Sequence, residues 1–288
     1  ANGPSKLCLA YLIDKNLNEY KLYEKAYTPW EWQPKLKELA DKIGIILFSS
    51  PFDLSSVDFL EEMDVPAYKI ASPEIVDIPL IKKCAQTGKT IIISTGVASI
   101  GDIECAVDVC RQEGNQNVIL LKCTAEYPAP YSQMNLKTIK NMEETFGCPA
   151  GLSDHSLGDE IAIAAVAMGA KVIEKHITLH RADGGVDSAF SMEAEEMKRM
   201  VERIRHVEQA MGIVQYEYIG TNNEKKRRGR SLFVRADIKK GERFTEKNIR
   251  SVRPGDGLHT KYYFDVLGKR AARDLSFAEP LQMGDVEW

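Results

Sequence analysis

The chain has 288 residues, 44% of them hydrophobic and 28% charged, with a formal net charge of −4, which is enough to bury one sizeable core and carry a second, smaller domain. A mildly acidic total excludes general attraction to nucleic acid or anionic lipid, so an anionic substrate has to be met by local basic groups. No apolar run reaches the roughly 20 residues of a membrane helix, and no charged-then-apolar export signal opens the chain.

From residue 44 onward, short β-branched runs alternate with longer amphipathic stretches, the pattern of parallel strands covered by helices. The spacing predicts strands over 44–50, 67–72, 90–95, 118–124, 151–154 and 172–178. Helices are predicted over 55–63, 79–86, 100–113, 135–146 and 159–168, and a further one over 192–211 starts with Glu193, Glu195 and Glu196, where carboxylates suit the helix dipole. An open doubly wound sheet lacks its usual GxGxxG here, so the expected fold is a (β/α)8 TIM-type barrel of the α/β class. A closed barrel needs about eight βα units. The chain supplies six, and the first two are expected to be missing or diverged within residues 1–30. The barrel domain is thus placed at 1–212, with a polar linker over 213–230 that ends in the basic run Lys225 to Arg230, and a small β-rich domain over 231–288. That basic run is short and has no interleaved aromatics, so it reads as a solvated linker, not a nucleic-acid patch.

Six cysteines (Cys8, Cys84, Cys105, Cys110, Cys123 and Cys148) contain no CxxC pair, and a reduced, cytoplasmic protein is expected.

In a parallel barrel the strand C-termini build the active site. Here they end in Ser49-Ser50, in Lys69 with Ser72, in Ser94-Thr95-Gly96, in Lys122-Cys123-Thr124, in Ser153-Asp154-His155 and in Glu174-Lys175-His176. Singly, each Ser or Thr reads as a turn or cap residue; the recurrence on six successive strands points to a polar site. His155 and His176 end consecutive strands, which lie about 4.8 Å apart, so two imidazoles can meet over one ion. The alternative is two satisfied buried histidines. With no cysteine beside them, they suit an exchangeable divalent ion instead of a closed structural zinc site. Lys69 and Lys122 are candidates for a phosphate or carboxylate, or else snorkelling surface lysines. Asp187, on the glycine-rich loop after the last strand, is a candidate for a substrate hydroxyl, or part of a plain turn.

Six motifs in order, Phe48-Ser-Ser-Pro-Phe-Asp53, Lys69-Ile-Ala-Ser72 with Glu74, Ile93-Ser-Thr-Gly96, Tyr127-Pro-Ala-Pro130, Gly151-Leu-Ser-Asp-His155 and Glu174-Lys-His176, resemble the sialic acid synthase family. Asp237-Ile-Lys-Lys-Gly241 and Arg253-Pro-Gly255 resemble that family's C-terminal antifreeze-like (SAF) domain, while the stretches Ala26 to Trp32 and Gly184 to Met192 are similar to its pseudaminic acid branch. The resemblance implies a phosphoenolpyruvate site of Ser50, Lys69, Ser94 and Ser153, and a Mn2+ or Mg2+ ion on His155 and His176. It also implies sugar contacts from Glu74, Tyr127 and Asp187, with Glu74, His155, His176 and Asp187 catalytic. Arg253 of the partner subunit would complete the site in a domain-swapped homodimer. The implied activity joins phosphoenolpyruvate to an acetamido-sugar aldehyde. Two alternatives stay open: the same reaction on the N-acetylneuraminate or legionaminate precursor, and an inactive sugar-binding fragment. The family's opening strand ending in Glu, and its Lys-Phe-Gln type strand, have no counterpart in residues 1–19.

Overall fold

The computed structural model describes residues 27–185 and 187–288; the expectations on residues 1–19, together with Cys8 and Ala26, lie outside the described residues. The chain divides into two units after Gly212.

In the first unit the β-branched runs form five parallel strands, β1 (Ala67–Ile70), β2 (Thr90–Ser94), β3 (Val118–Cys123), β4 (Ala150–Asp154) and β5 (Ile173–Lys175), hydrogen-bonded in chain order. The helices of this wall are α1 (Gln33–Ile43), α2 (Leu54–Glu62), α3 (Ile78–Gln86), α4 (Ile100–Gln112), α5 (Lys137–Phe146) and α6 (Glu160–Ala167). Just beyond His176, β6 (Ile177–Thr178) pairs in parallel with β7 (Met192–Glu193), which leads directly into α7 (Ala194–Met211). Parallel strands that each return through a helix are the repeat of a (β/α)8 TIM-type barrel.

The strand expected over 44–50 is reduced to one parallel bridge, Ser49 to Tyr68. Among the described residues it pairs on one side only, and Ile45 and Ile46 are exposed. Helix α1 was not anticipated. Its signals are Pro34 in the first turn, Leu36, Leu39, Ala40 and Ile43 at helical spacing, and Gly44 stopping it at φ 79°.

Strand alternation sorts the side chains. Tyr68, Ile70, Ile91, Ile93, Leu120, Leu152 and Ile173 pack with Leu80, Ile81, Val107 and Ile139 in the core under the helices. The alternate positions, Lys69, Ser94, Cys123, Ser153 and Glu174, therefore face the barrel interior. Lys122 shares the parity of Leu120 and lies by Asn135, Leu136, Lys137, Thr138 and Met168 on the helix side, so it is not at the barrel mouth; its ammonium donates to the Cys123 carbonyl at 2.6 Å. Gly151 is required where β4 meets β5, because a Cβ there would run into the Val172 carbonyl oxygen.

In the second unit, α8 (Asn222–Arg228) occupies part of the stretch read as a linker, capped by Thr221, whose Oγ accepts from the Glu224 amide at 3.3 Å. Antiparallel pairs β8 (Ser231–Val234) with β9 (Ile249–Val252) and β10 (Arg270–Ala271) with β11 (Val286–Glu287), and the short helix α9 (Tyr263–Val266), surround a core of Leu232, Val234, Phe244, Ile249, Leu275 and Leu281.

Candidate active site

The register of β4 on β5 places Ser153 opposite Glu174 and Asp154 opposite Lys175. One residue further along each strand come His155 and His176. Alternation then turns the first pair inward, the second outward and the histidines inward again. The outward pair is a buried salt bridge, Lys175 Nζ to Asp154 Oδ2 at 2.7 Å, with side chains 2% and 0% exposed. Lys175 also donates to the Ser156 carbonyl, while Asp154 Oδ1 accepts from the amide and hydroxyl of Ser156 at 2.8 and 2.6 Å. Every polar atom of this ion pair has a partner, as burial at this depth requires.

On the inner face the two imidazoles lie edge to face with ring centroids 5.2 Å apart. Nδ1 of His155 lies 3.0 Å from the Thr124 carbonyl. A carbonyl only accepts, so Nδ1 carries a proton, and in the neutral ring Nε2 keeps its lone pair. Nδ1 of His176 lies 3.3 Å from Asp187 Oδ2. Burial works against the His155 imidazolium, but the Cys123 thiol and the Thr124 carbonyl outweigh it and hold the pKa above the usual histidine value. For His176, burial and then the neighbouring His155 outweigh the attraction of Asp187 and Glu174, and the pKa falls. The Tyr127 ring lies tilted against His155 at 4.3 Å, and Phe190 packs on His176 at 5.0 Å and on Tyr127 at 5.4 Å. Phe190 lies within the Gly184 to Met192 stretch that carries the resemblance, but the sequence gives it no role of its own.

Beside the imidazoles, Ser153 Oγ donates to Glu174 Oε1 at 2.6 Å and Lys69 Nζ lies 3.4 Å from Glu174 Oε2. Glu174 thus joins two residues expected to bind phosphoenolpyruvate, a link sequence reasoning did not make. Among the described residues, two buried side-chain oxygens lack a hydrogen-bond partner, Glu74 Oε2 and Ser94 Oγ. Buried polar atoms are normally satisfied; Ser94 ends β2, and Glu74 lies in the short 3-10 helix Pro73–Val76 that follows β1. Burial also pushes the Glu74 carboxyl up, against the pull of Lys69. At Gly96 the amide donates to Ser72 Oγ at 2.9 Å, and a Cβ there would crowd Cys123 Sγ and Ser72 Oγ. Ser50 is half-buried next to the Ser49 bridge, and Arg253 is exposed just past β9 in the second unit.

The donor set fits a divalent cation. Two imidazoles face each other, the Nδ1 atoms of both are engaged from behind, and such outer partners fix the ring orientation of a metal ligand. Among the described residues no group of three or more His, Cys, Asp or Glu side chains is arranged to hold a metal, so water or substrate would fill the other positions of an exchangeable ion.

A parallel barrel wall whose mouth gathers paired imidazoles, a lysine, carboxylates and the unpartnered Ser94 hydroxyl defines the class: a TIM-type barrel with a polar, charged mouth at its strand C-termini. Residues 10–216 match the NeuB family and residues 229–287 the SAF domain. The chain belongs to the NeuB family. It is 44% identical over 277 residues to pseudaminic acid synthase of Helicobacter pylori, covering 96% of this chain and 81% of that protein. It is 42% identical over 242 residues to N,N'-diacetyllegionaminic acid synthase of Campylobacter jejuni, covering 82% and 71%. Among solved structures, the N-acetylneuraminic acid (sialic acid) synthetase of Leptospira borgpetersenii in complex with citrate matches with TM-score 0.68 and 33% identity, over 74% of this chain and 75% of that one.

Proposed function

We propose that this chain is a phosphoenolpyruvate-dependent nonulosonate synthase that forms a carbon–carbon bond, and that its sugar substrate is 2,4-diacetamido-2,4,6-trideoxy-L-altrose, making it a pseudaminic acid synthase. The observation that carries the reading is the facing pair His155 and His176 beside the Lys69, Glu174 and Ser153 cluster on one inner face. The choice of sugar is supported by the 44% and 42% identities to pseudaminic acid synthases of Helicobacter pylori and Campylobacter jejuni. The legionaminate reading is kept as a rival because one such synthase matches at 42% over a shorter stretch.

In this reading Lys69, Ser153, Ser94 and Ser50 hold the phosphate and carboxylate of phosphoenolpyruvate, the lysine supplying charge and the hydroxyls direction. Glu74, Tyr127 and Asp187 hold the open-chain sugar, with its aldehyde carbon within reach of C3 of the enol. The π pair of the enol forms the new C–C bond, and the aldehyde oxygen ends as a hydroxyl. Water adds at C2, and the tetrahedral carbon expels inorganic phosphate to leave a nine-carbon 2-keto acid. A Mn2+ or Mg2+ ion on His155 and His176 would polarise the aldehyde carbonyl as a Lewis acid. The reading includes a homodimer in which Arg253 of the partner subunit joins the sugar contacts, and a cytoplasmic setting; light scattering in solution tests the dimer.

The test is incubation of the purified protein with phosphoenolpyruvate, Mn2+ and each of three aldehydes, following phosphate release and product mass. The trideoxy-altrose is expected to give the highest kcat/KM. Faster turnover of N-acetylmannosamine or of the legionaminate precursor would replace the proposed substrate. Calorimetric sugar binding without phosphate release would favour the non-catalytic reading.

A further inference from the structure

Between β6 and β7 lies Asp187, whose carboxylate comes within 3.3 Å of His176 Nδ1, and β7 leads into α7. Loops hold a fixed geometry through ties at their ends and within them. One guanidinium joins the ends. Arg181 Nη1 and Nη2 make a two-point ion pair with the carboxylate of Glu196, the Nη2 arm at 3.0 Å to Oε1. Glu196 Oε2 in turn accepts from the Glu193 amide at 2.9 Å, and Glu193 Oε1 accepts from the Arg181 amide at 3.0 Å. The first turn of α7 thus grips the outgoing end of the loop.

The same guanidinium reaches into the loop. Arg181 Nη1 donates to the Ser191 carbonyl at 3.1 Å. Ser191, itself buried, donates from its amide and its hydroxyl to the Asp187 carbonyl at 3.1 and 2.7 Å. The carboxylate of Asp187 then meets His176 Nδ1 at 3.3 Å. A hydrogen-bonded path therefore runs from the base of α7 through Arg181 and Ser191 to the main-chain carbonyl of Asp187, whose carboxylate stands beside His176. Arg181 touches neither imidazole in this path, and it belongs to none of the groups expected to bind either substrate.

We propose that Arg181 is a positioning residue that, through Ser191, holds Asp187 in place for the sugar aldehyde; this rests on the function proposed above. Its planar fork makes the two-point contact with Glu196 while keeping a third donor for the Ser191 carbonyl, a geometry that lysine cannot reproduce. Because Asp187 is assigned to the sugar and not to phosphoenolpyruvate, loss of the clamp is expected to act on one substrate selectively.

The experiment uses the full chain with Arg181→Ala, Arg181→Lys and Ser191→Ala, measuring kcat and KM for both substrates together with hydrogen–deuterium exchange across residues 182–191. For Arg181→Ala the aldehyde KM is expected to rise by about tenfold or more, as loss of a positioning contact does, while the KM for phosphoenolpyruvate stays within about twofold and loop exchange quickens. Arg181→Lys is expected to fall between alanine and wild type, and Ser191→Ala to show the same selectivity more weakly. Unchanged kinetic constants in Arg181→Ala overturn the proposal, as does an equal loss against both substrates. If the wild type turns over none of the aldehydes, the proposed function fails by itself, and loop exchange decides the clamp: unchanged exchange in Arg181→Ala removes it.

Discussion

At the scale of single residues, the two histidines differ in electrostatic surroundings although they occupy equivalent strand positions. His155 has a carbonyl and a thiol behind it, while His176 has a carboxylate and another imidazole. If both hold the ion, either His155→Ala or His176→Ala is expected to abolish metal-dependent phosphate release, exceeding the roughly 10–100-fold loss that follows removal of a ligand's supporting partner. The far-ultraviolet circular dichroism should stay that of the wild type, and Mn2+ binding followed by electron paramagnetic resonance should weaken in parallel. Turnover that survives either change removes the metal assignment. Glu196 offers a pH test. The hydrogen bond from Arg181 holds its carboxyl at about 2, below the usual 4.5. A depressed folded-state value means that its contribution is present above about pH 4.5 and is lost as the pH falls toward 2. The pair is partly exposed, so solvent keeps the effect modest. The urea midpoint is expected to fall less between neutral pH and about pH 3 in Glu196→Gln than in the wild type, because the variant has no such carboxylate to protonate.

At the scale of secondary elements, the neighbours β4 and β5 concentrate the chemistry. Their outward positions hold an ion pair where the rest of that face packs apolar side chains under the helices. Breaking a buried pair strands a charge, so Lys175→Met is expected to cost about 3–5 kcal/mol in a urea titration. Replacing both partners, Asp154→Leu with Lys175→Met, is expected to cost far less, since an apolar pair of similar volume leaves no buried charge uncompensated. A double variant as unstable as the single one would show that the pair contributes more than mutual neutralisation. The residues on either side of this pair along the strands, Ser153 with Glu174 and His155 with His176, face the other way, so β4 and β5 serve the core and the site alternately.

At the scale of the whole molecule, the two units have separate apolar cores. The second spans residues 213–288, a size at which one core leaves little stability in reserve. Phe244 is fully buried at its centre. Phe244→Ala is expected to cost about 3–5 kcal/mol, enough to melt this unit ahead of the barrel and split thermal unfolding, followed by calorimetry, into two transitions. A single transition shifted as a whole would mean that the units unfold together. Much of this organisation was legible along the chain. The apolar runs of β1 to β5 and the helices between them follow from local periodicity, and the sequence by itself determined that polar residues would end successive parallel strands. The signals of helix α1 are local ones, a Pro in the first turn and Gly44 at its end, whereas α8 lies inside a run of charge. Only the tertiary structure decided which way the strand-end residues point. Lys122 turns to the helices, Glu174 links Lys69 to Ser153, and Phe190 closes on the histidines. Secondary structure depends on neighbours a few residues apart, whereas these placements depend on strand register and loop return, which join residues far apart in the chain.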